Sequence, residues 1–198
     1  MIEVEIILGS TSPRRREILN FFSLAFRQED PKFDETSVPF KKDPRHFVRE
    51  VSRRKAHCLS EKFPNDIILT ADTAVFRKNR IFLKPETLEE AAGMLAELSG
   101  KEHQVFTGVT VRRGEDEFSE VEESIVHFHP LTLSQIHTYH RHFIPLDKAG
   151  GYAIQKGGSI IVKRIEGCYY NIMGLPLQTT RHLLAQVGID LWDYLKST

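Results

Sequence analysis

Five places in the sequence hold side chains suited to chemistry. The loop Gly9-Ser10-Thr11-Ser12 runs into Pro13-Arg14-Arg15-Arg16. A small-residue loop entering a helix aims backbone N–H groups and the positive end of the helix dipole at an anion. Three arginines there work against the dipole, so the segment is either a solvated basic patch or an anion seat. Lys55 lies four residues from both Val51 and Leu59, on the apolar stripe of its segment. It is a snorkelling lysine or a cation aimed into a site. Asp72 interrupts the apolar run from Ile67 to Phe76. A buried carboxylate must be paired, hydrogen-bonded or bound to a metal. Asp34 and Glu35 could join it around a hard divalent cation. Lys84, ahead of Pro85, is a surface lysine or a further phosphate contact. Cations for phosphate oxygens and carboxylates for a metal and a water suit a metal-dependent enzyme acting on a polyphosphate.

Strands and helices interleave to hold these groups. Glu3–Leu8 reads as a strand that ends at the small-residue loop. Ser12 is placed to cap a helix starting at Pro13, with Ile18, Leu19 and Phe22 inward. Asp43-Pro44 opens a second helix whose stripe is Phe47, Val48, Val51, Cys58, Leu59 and Phe63. Ile67–Phe76 reads as a central strand. Thr87 with Glu90 forms a capping-box pattern before Leu88, Ala91, Ala92, Leu95 and Leu98, closed by Gly100. Gln104–Val111 and Val121–Phe128 read as strands joined across Arg113–Asp116. Ser134–Phe143 reads as a helix, Ser159–Ile165 as a strand, and Leu177–Val187 as a last helix. The hairpin-like strands of the second half favour a mixed sheet in an α/β protein.

The 198 residues carry 27 Lys+Arg against 27 Asp+Glu, a net charge of zero that argues against a broad basic face for nucleic acid. No apolar run approaches the roughly 18 residues of a membrane span. The opening MIEVEIIL is strand-like rather than signal-like, so a cytoplasmic protein is expected. Cys58 and Cys168 are far apart and read as reduced thiols. Ser99-Gly100-Lys101 is no P-loop, since Leu95 stands where the first glycine belongs and Glu102 where Ser or Thr belongs. No GxGxxG or GxSxG occurs. His127, His129, His137, His140 and His142 are dense, but without metal-site spacing they read as surface or core residues.

In order, LGSTSPRRREIL, FDE, RRKAH, ADT, LKP, LSGKEHQVFTGV, DKAGGYAIQ and GCYYNIMGLPL span Leu8 to about Leu177. This succession resembles the motifs of the Maf family of nucleoside triphosphate pyrophosphatases. The resemblance implies hydrolysis between the α and β phosphates, to a monophosphate and pyrophosphate. It implies a single Maf-like domain over 1–198, a mixed twisted sheet with flanking helices, and two lobes around a central cleft. Asp72 matches the family's catalytic carboxylate, and Glu35 matches an acidic residue that with Asp72 holds a divalent cation, Mg or Mn. A carboxylate touching a cation is a weaker base, so Asp72 is expected to act mainly by positioning water. Ser10, Arg14, Arg15, Lys55 and Lys84 match residues around the phosphates.

Arg14, Thr73 and Gln155 resemble the branch that prefers dTTP and UTP, and a glutamine amide can pair with a pyrimidine edge. The sibling branch acting on 7-methylguanosine triphosphate often carries Trp where Arg14 stands. Gly9, Ala74, Phe76, Leu83 and Lys156 depart from the usual pattern, and Lys156 beside Gln155 bears on base preference. Expected partners are the nucleoside triphosphate and, at most, a second copy in a homodimer, with no membrane and no stable nucleic-acid complex. The alternatives are a non-catalytic nucleotide or nucleic-acid binding module in division control, and a pyrophosphatase for other modified nucleotides.

Overall fold

A computed structural model describes residues 5–196. Seven strands form one mixed sheet in the order β2-β1-β3-β5-β6-β7, with β4 also paired to β3. β1 (Glu5–Gly9) pairs in parallel with β2 (Ala25–Glu29) and with β3 (Ile67–Arg77). β4 (Arg80–Phe82), β5 (Glu102–Arg113), β6 (Asp116–Phe128) and β7 (Val162–Glu166) add antiparallel. The helices are α1 (Pro13–Leu19), α2 (Pro44–Lys62), α3 (Leu88–Leu98), α4 (Leu133–His142), α5 (Tyr169–Met173) and α6 (Leu177–Gln186).

Side-chain alternation along β3 sorts the core. Ile68 and Ala74 face α2, with Ile7, Phe47, Val48, Val51, Ala56 and Leu59. Ile67, Leu69 and Ala71 face α1 and α6, with Ile18, Leu19, Leu183 and Leu184. Val75, on that second side, packs with Leu95, Val105, Ile136 and Tyr152 beneath α3 and α4. The second side therefore holds two clusters, bridged by Val162 and Ile172, which pack against both. Gly108, opposite Asp72 on β5, lets α2 lie close: a Cβ there would come within 2.4 Å of the Val48 carbonyl oxygen.

One break in pairing decides where the site lies. On one edge of β3, β1 stops with Gly9 beside Thr70, and β4 begins with Phe82 beside Val75. Among the described residues Ala71–Ala74 have no strand neighbour on that edge, although β5 pairs them on the other. A sheet that forks in this way opens a crevice beyond the end of a parallel strand, as at a topological switch point.

Several elements differ from the sequence expectations. Glu3 lies outside the described residues. Ser12 makes no side-chain cap; its own N–H donates to Ser10 Oγ at 3.2 Å, so the loop is tied to the site instead. Asp43 caps α2 through the His46 N–H at 3.0 Å. Thr87 caps α3, but the Glu90 carboxylate accepts from the Glu86 N–H, so the box is half formed. The complete box is Thr132–Gln135 at α4. Lys156–Ile161 is a 3-10 turn, which confines the last strand to Val162–Glu166. β2 is a polar edge strand without alternation, and β4 and α5 are too short for periodicity to show. The β3–β4 turn uses Lys78 and Asn79 at φ 46° and 65°, a two-residue hairpin geometry usually announced by Asn-Gly.

Candidate active site

The fork opens into a cleft of about 240 Å3 lined by all eight residues singled out from the sequence around Asp72 and by Asp72 itself: Ser10, Arg14, Arg15, Glu35, Lys55, Thr73, Lys84 and Gln155. β3 supplies Asp72 toward α2 and Thr73 toward α1, because successive side chains leave opposite faces. With no strand beside them on this edge, both reach the cleft.

On the α2 side, Lys55 Nζ donates to Asp72 Oδ1 at 2.7 Å and to Glu35 Oε1 at 2.6 Å. Lys55 and Asp72 are each 5% exposed, so neither charge would be tolerated without the other. The snorkelling reading of Lys55 is therefore replaced by a buried ammonium between two carboxylates. Lys84 Nζ reaches Glu35 Oε1 at 3.5 Å from the rim. Burial pushes the Glu35 carboxyl up, but Lys55, then Lys84 and Arg15, hold it below the usual carboxylate range. Asp34 does not join the pair: its Oδ1 accepts from the Thr36 N–H at 2.9 Å and caps the turn Glu35–Ser37.

The α1 side is built differently. Arg15 donates to the Gly174 carbonyl at 2.7 Å, to Ser10 Oγ at 3.0 Å and to Thr73 Oγ1 at 3.2 Å. Every one of these acceptors is neutral, and among the described residues Arg15 has no carboxylate in contact. Burial lowers its pKa, against the pull of Asp72 and Glu35, and Arg14 lowers it further. A guanidinium does not lose its proton in a protein, so a half-buried one held by neutral oxygens leaves a charge that an anion can answer. Gly174 ends α5 in the left-handed region at φ 106°, which turns its carbonyl toward Arg15.

At the rim, Arg14 donates to Asp147 Oδ2 at 2.6 Å and to the Asp147 carbonyl at 3.1 Å. Lys148 also pairs with Asp147. Burial pushes Asp147 up, and Lys148 and Arg14 more than offset it, so its carboxyl sits below the ordinary value. Val75, Val105, Tyr152 and Ile172 pack together as an apolar wall of the cleft, whose lining also includes Gln155. Gln155 Oε1 is buried without a hydrogen-bond partner among the described residues. Behind that wall His103 Nε2 lies 2.9 Å from the Tyr152 hydroxyl, and burial lowers the His103 pKa to about 3, so the ring is neutral. Asp147, Lys148 and Tyr152 were not singled out individually from the sequence; the DKAGGYAIQ stretch held their signal. His127 pairs with Glu166 and His140 meets the Gly151 carbonyl, both away from the cleft lining.

The sequence pattern of the Maf-like protein family matches residues 5–187. The chain belongs to the Maf family. Maf relatives cover it almost end to end. One from Chlamydia caviae, named dTTP/UTP pyrophosphatase, is 41% identical over 195 residues, covering 98% of this chain and 100% of the relative. A second of that name, from Symbiobacterium thermophilum, is 40% identical over 188 residues, covering 95% and 96%. A Chlamydia muridarum relative, 40% identical over 192 residues and covering 96% and 98%, is named nucleoside triphosphate pyrophosphatase. Among solved structures, the Staphylococcus aureus Ham1 protein aligns with a TM-score of 0.42 at 11% identity, over 96% of this chain and 93% of that one.

For a divalent cation, the Maf cleft offers Glu35 and Asp72. Among the described residues no group of three or more His, Cys, Asp or Glu is disposed to hold a metal. That donor set does not suit an all-protein cage. It does suit magnesium or manganese, which bind through one or two carboxylates and take their remaining oxygens from water and phosphate.

Proposed function

We propose that this chain hydrolyses nucleoside triphosphates, dTTP and UTP foremost, to the monophosphate and pyrophosphate, as a single Maf-like domain in the cytoplasm. The observation that carries this reading is the half-buried Arg15 guanidinium held only by neutral oxygens, beside a lysine-bridged pair of carboxylates. A polyphosphate supplies the missing negative charge, and the carboxylates supply water activation next to it.

Arg15, Ser10 and Lys84 bind the phosphate oxygens, Lys55 holds the two carboxylates beside them, and Arg14 meets the triphosphate or the base at the rim. A water oxygen attacks the α phosphorus as the bond from that phosphorus to the bridging α–β oxygen breaks. The leaving pyrophosphate takes up negative charge that Arg15 and Lys84 stabilise. Asp72 orients the water and accepts its proton. Lys55 neutralises one of the two carboxylates, so that Glu35 and Asp72 can stand together. Glu35 and Asp72 would hold a divalent cation, which when bound neutralises phosphate oxygens. Gln155 Oε1 accepts from a base N–H, and its amide donates to a base carbonyl, which fits the pyrimidine edge of thymine or uracil. Among the described residues no helix is long and apolar enough to cross a membrane.

Product analysis across a nucleotide panel, with and without Mg2+ or Mn2+, tests the reading. Pyrophosphate and dTMP from dTTP are expected, dependent on the cation. Binding without turnover would instead favour a non-catalytic module. Turnover confined to modified bases would keep the chemistry and change the substrate.

A further inference from the structure

Hydroxyl groups flank Arg15 on both sides, and the positions of their protons can be deduced. Thr107 on β5 is fully buried, directly across from Thr73. Its Oγ1 lies 2.9 Å from the Asn171 carbonyl oxygen and 2.9 Å from Thr73 Oγ1. A carbonyl only accepts, so the single Thr107 proton must lie toward Asn171. Thr107 then meets Thr73 as an acceptor, and the Thr73 proton must point inward to it. That leaves Thr73 with lone pairs only on its cleft side, where it accepts from Arg15 Nη2 at 3.2 Å. Ser10 Oγ is the opposite case. It accepts from the Ser12 N–H at 3.2 Å and from Arg15 Nη1 at 3.0 Å, so its own proton is uncommitted among the described residues and can be donated into the cleft.

We propose that Thr107, which does not line the cleft, is a positioning residue: it fixes the proton direction of Thr73, and through Thr73 it holds the Arg15 fork against the anion. The hydrogen bonds run one way, from Arg15 to Thr73 to Thr107 to the Asn171 carbonyl. Asn171 is itself fully buried and anchored through Nδ2 to the Val105 carbonyl at 3.0 Å and to Ser124 Oγ at 2.9 Å. It belongs to α5, whose terminal Gly174 carbonyl holds Arg15 Nε. Arg15 is therefore gripped twice from the same short helix, once directly and once through two threonines. Without the Thr107 hydroxyl, the Thr73 proton is free to turn toward Arg15, where a donor meets a donor and the fork is displaced.

This rests on the reading of the cleft as a polyphosphate site, and the test separates the two. Pyrophosphate binding is measured by calorimetry on the wild-type full chain, Thr107→Val, Thr107→Ser, Thr73→Val and the Thr73→Val/Thr107→Val double variant, with thermal unfolding of each. Thr107→Val keeps the branched shape and removes the hydroxyl; Thr107→Ala serves if the valine variant does not fold. We expect about a fivefold or greater loss of pyrophosphate affinity in Thr107→Val, recovery of most of it in Thr107→Ser, and a double variant no worse than the weaker single one, because both singles cut one chain. Turnover of dTTP is expected to show the same loss mainly in KM. Unchanged affinity in Thr107→Val, additive losses in the double variant, or failure of Thr107→Ser to recover would each overturn the proposal, as would a wild-type chain that does not bind pyrophosphate. If the affinity pattern holds while wild type releases no pyrophosphate from any triphosphate, the positioning role stands and the pyrophosphatase reading falls.

Discussion

The two faces of β3 meet the cleft with cations treated in opposite ways. Toward α2, Lys55 sits between Glu35 and Asp72, and its charge is answered within the protein. Toward α1, Arg15 is held by a serine, a threonine and a backbone carbonyl, and its charge is left over. The first arrangement is complete before any ligand arrives and can hold a proton or a cation in a fixed place. The second gains its partner only when an anion enters. On the proposed reading, activation of water and reception of phosphate are divided between adjacent residues, Asp72 and Thr73, by the alternation of one strand.

The largest effect expected from breaking this contrast is at Asp72. Asp72→Asn keeps the shape and removes the charge, and should lower pyrophosphate release by about a hundredfold or more. The chain should still fold, with a lower unfolding temperature, because Lys55 keeps Glu35 as its remaining partner. Arg15→Lys keeps the charge and removes the fork, so three acceptors and an anion no longer share one cation. About a ten- to hundredfold loss of pyrophosphate affinity is expected by calorimetry. Lys55→Met acts on stability rather than on anion binding. It leaves the buried Asp72 without its ammonium and should cost about 3–5 kcal/mol in urea unfolding. If Lys55→Met weakened pyrophosphate binding as strongly as Arg15→Lys does, the division between the faces would be wrong.

Smaller effects sharpen the picture. Gln155→Ala removes one neutral hydrogen-bonding partner and should lower discrimination between UTP and other triphosphates by roughly two- to tenfold, with kcat little changed. The Glu35 carboxyl, held low by Lys55 and partly exposed, gives the mildest signal. A depressed carboxyl contributes stability that is fully present above its unfolded value of about 4.3 and is lost as pH falls through the folded value. Wild type should therefore lose stability on acidification below about pH 4.3 more steeply than Glu35→Gln does, as acid unfolding curves would show.

Much of this site was legible because single residues violated their surroundings. Asp72 in a β-branched run and Lys55 on an apolar stripe are costly unless they serve one another, and they do. Arg15 was visible as an arginine set against a helix dipole. Its lack of a counter-ion was not, since that depends on which oxygens α5 and β3 bring to it from 159 and 58 positions away in the chain. Thr107 gave no individual sign: it lies within the LSGKEHQVFTGV stretch, but a threonine in a strand is what strand propensity favours. The fold was legible where periodicity runs long, in α2, β3 and α3. β2 escaped because a polar edge strand does not alternate, and β4 because its turn residues adopt left-handed φ without a glycine. Asp34 misled, since a carboxylate beside a turn is as able to cap it as to hold a cation.

The unpaired stretch of β3 also makes the β3–β4 hairpin a ruler. Lys78 and Asn79 fix where β4 starts, hence how many rungs of β3 stay uncovered and on which side Lys84 emerges. One residue more or less in that turn would slip the pairing by a rung and send each following side chain to the other face. The chain could keep its core and every cleft residue by name, yet be left with a narrower mouth and a cation pointing outward.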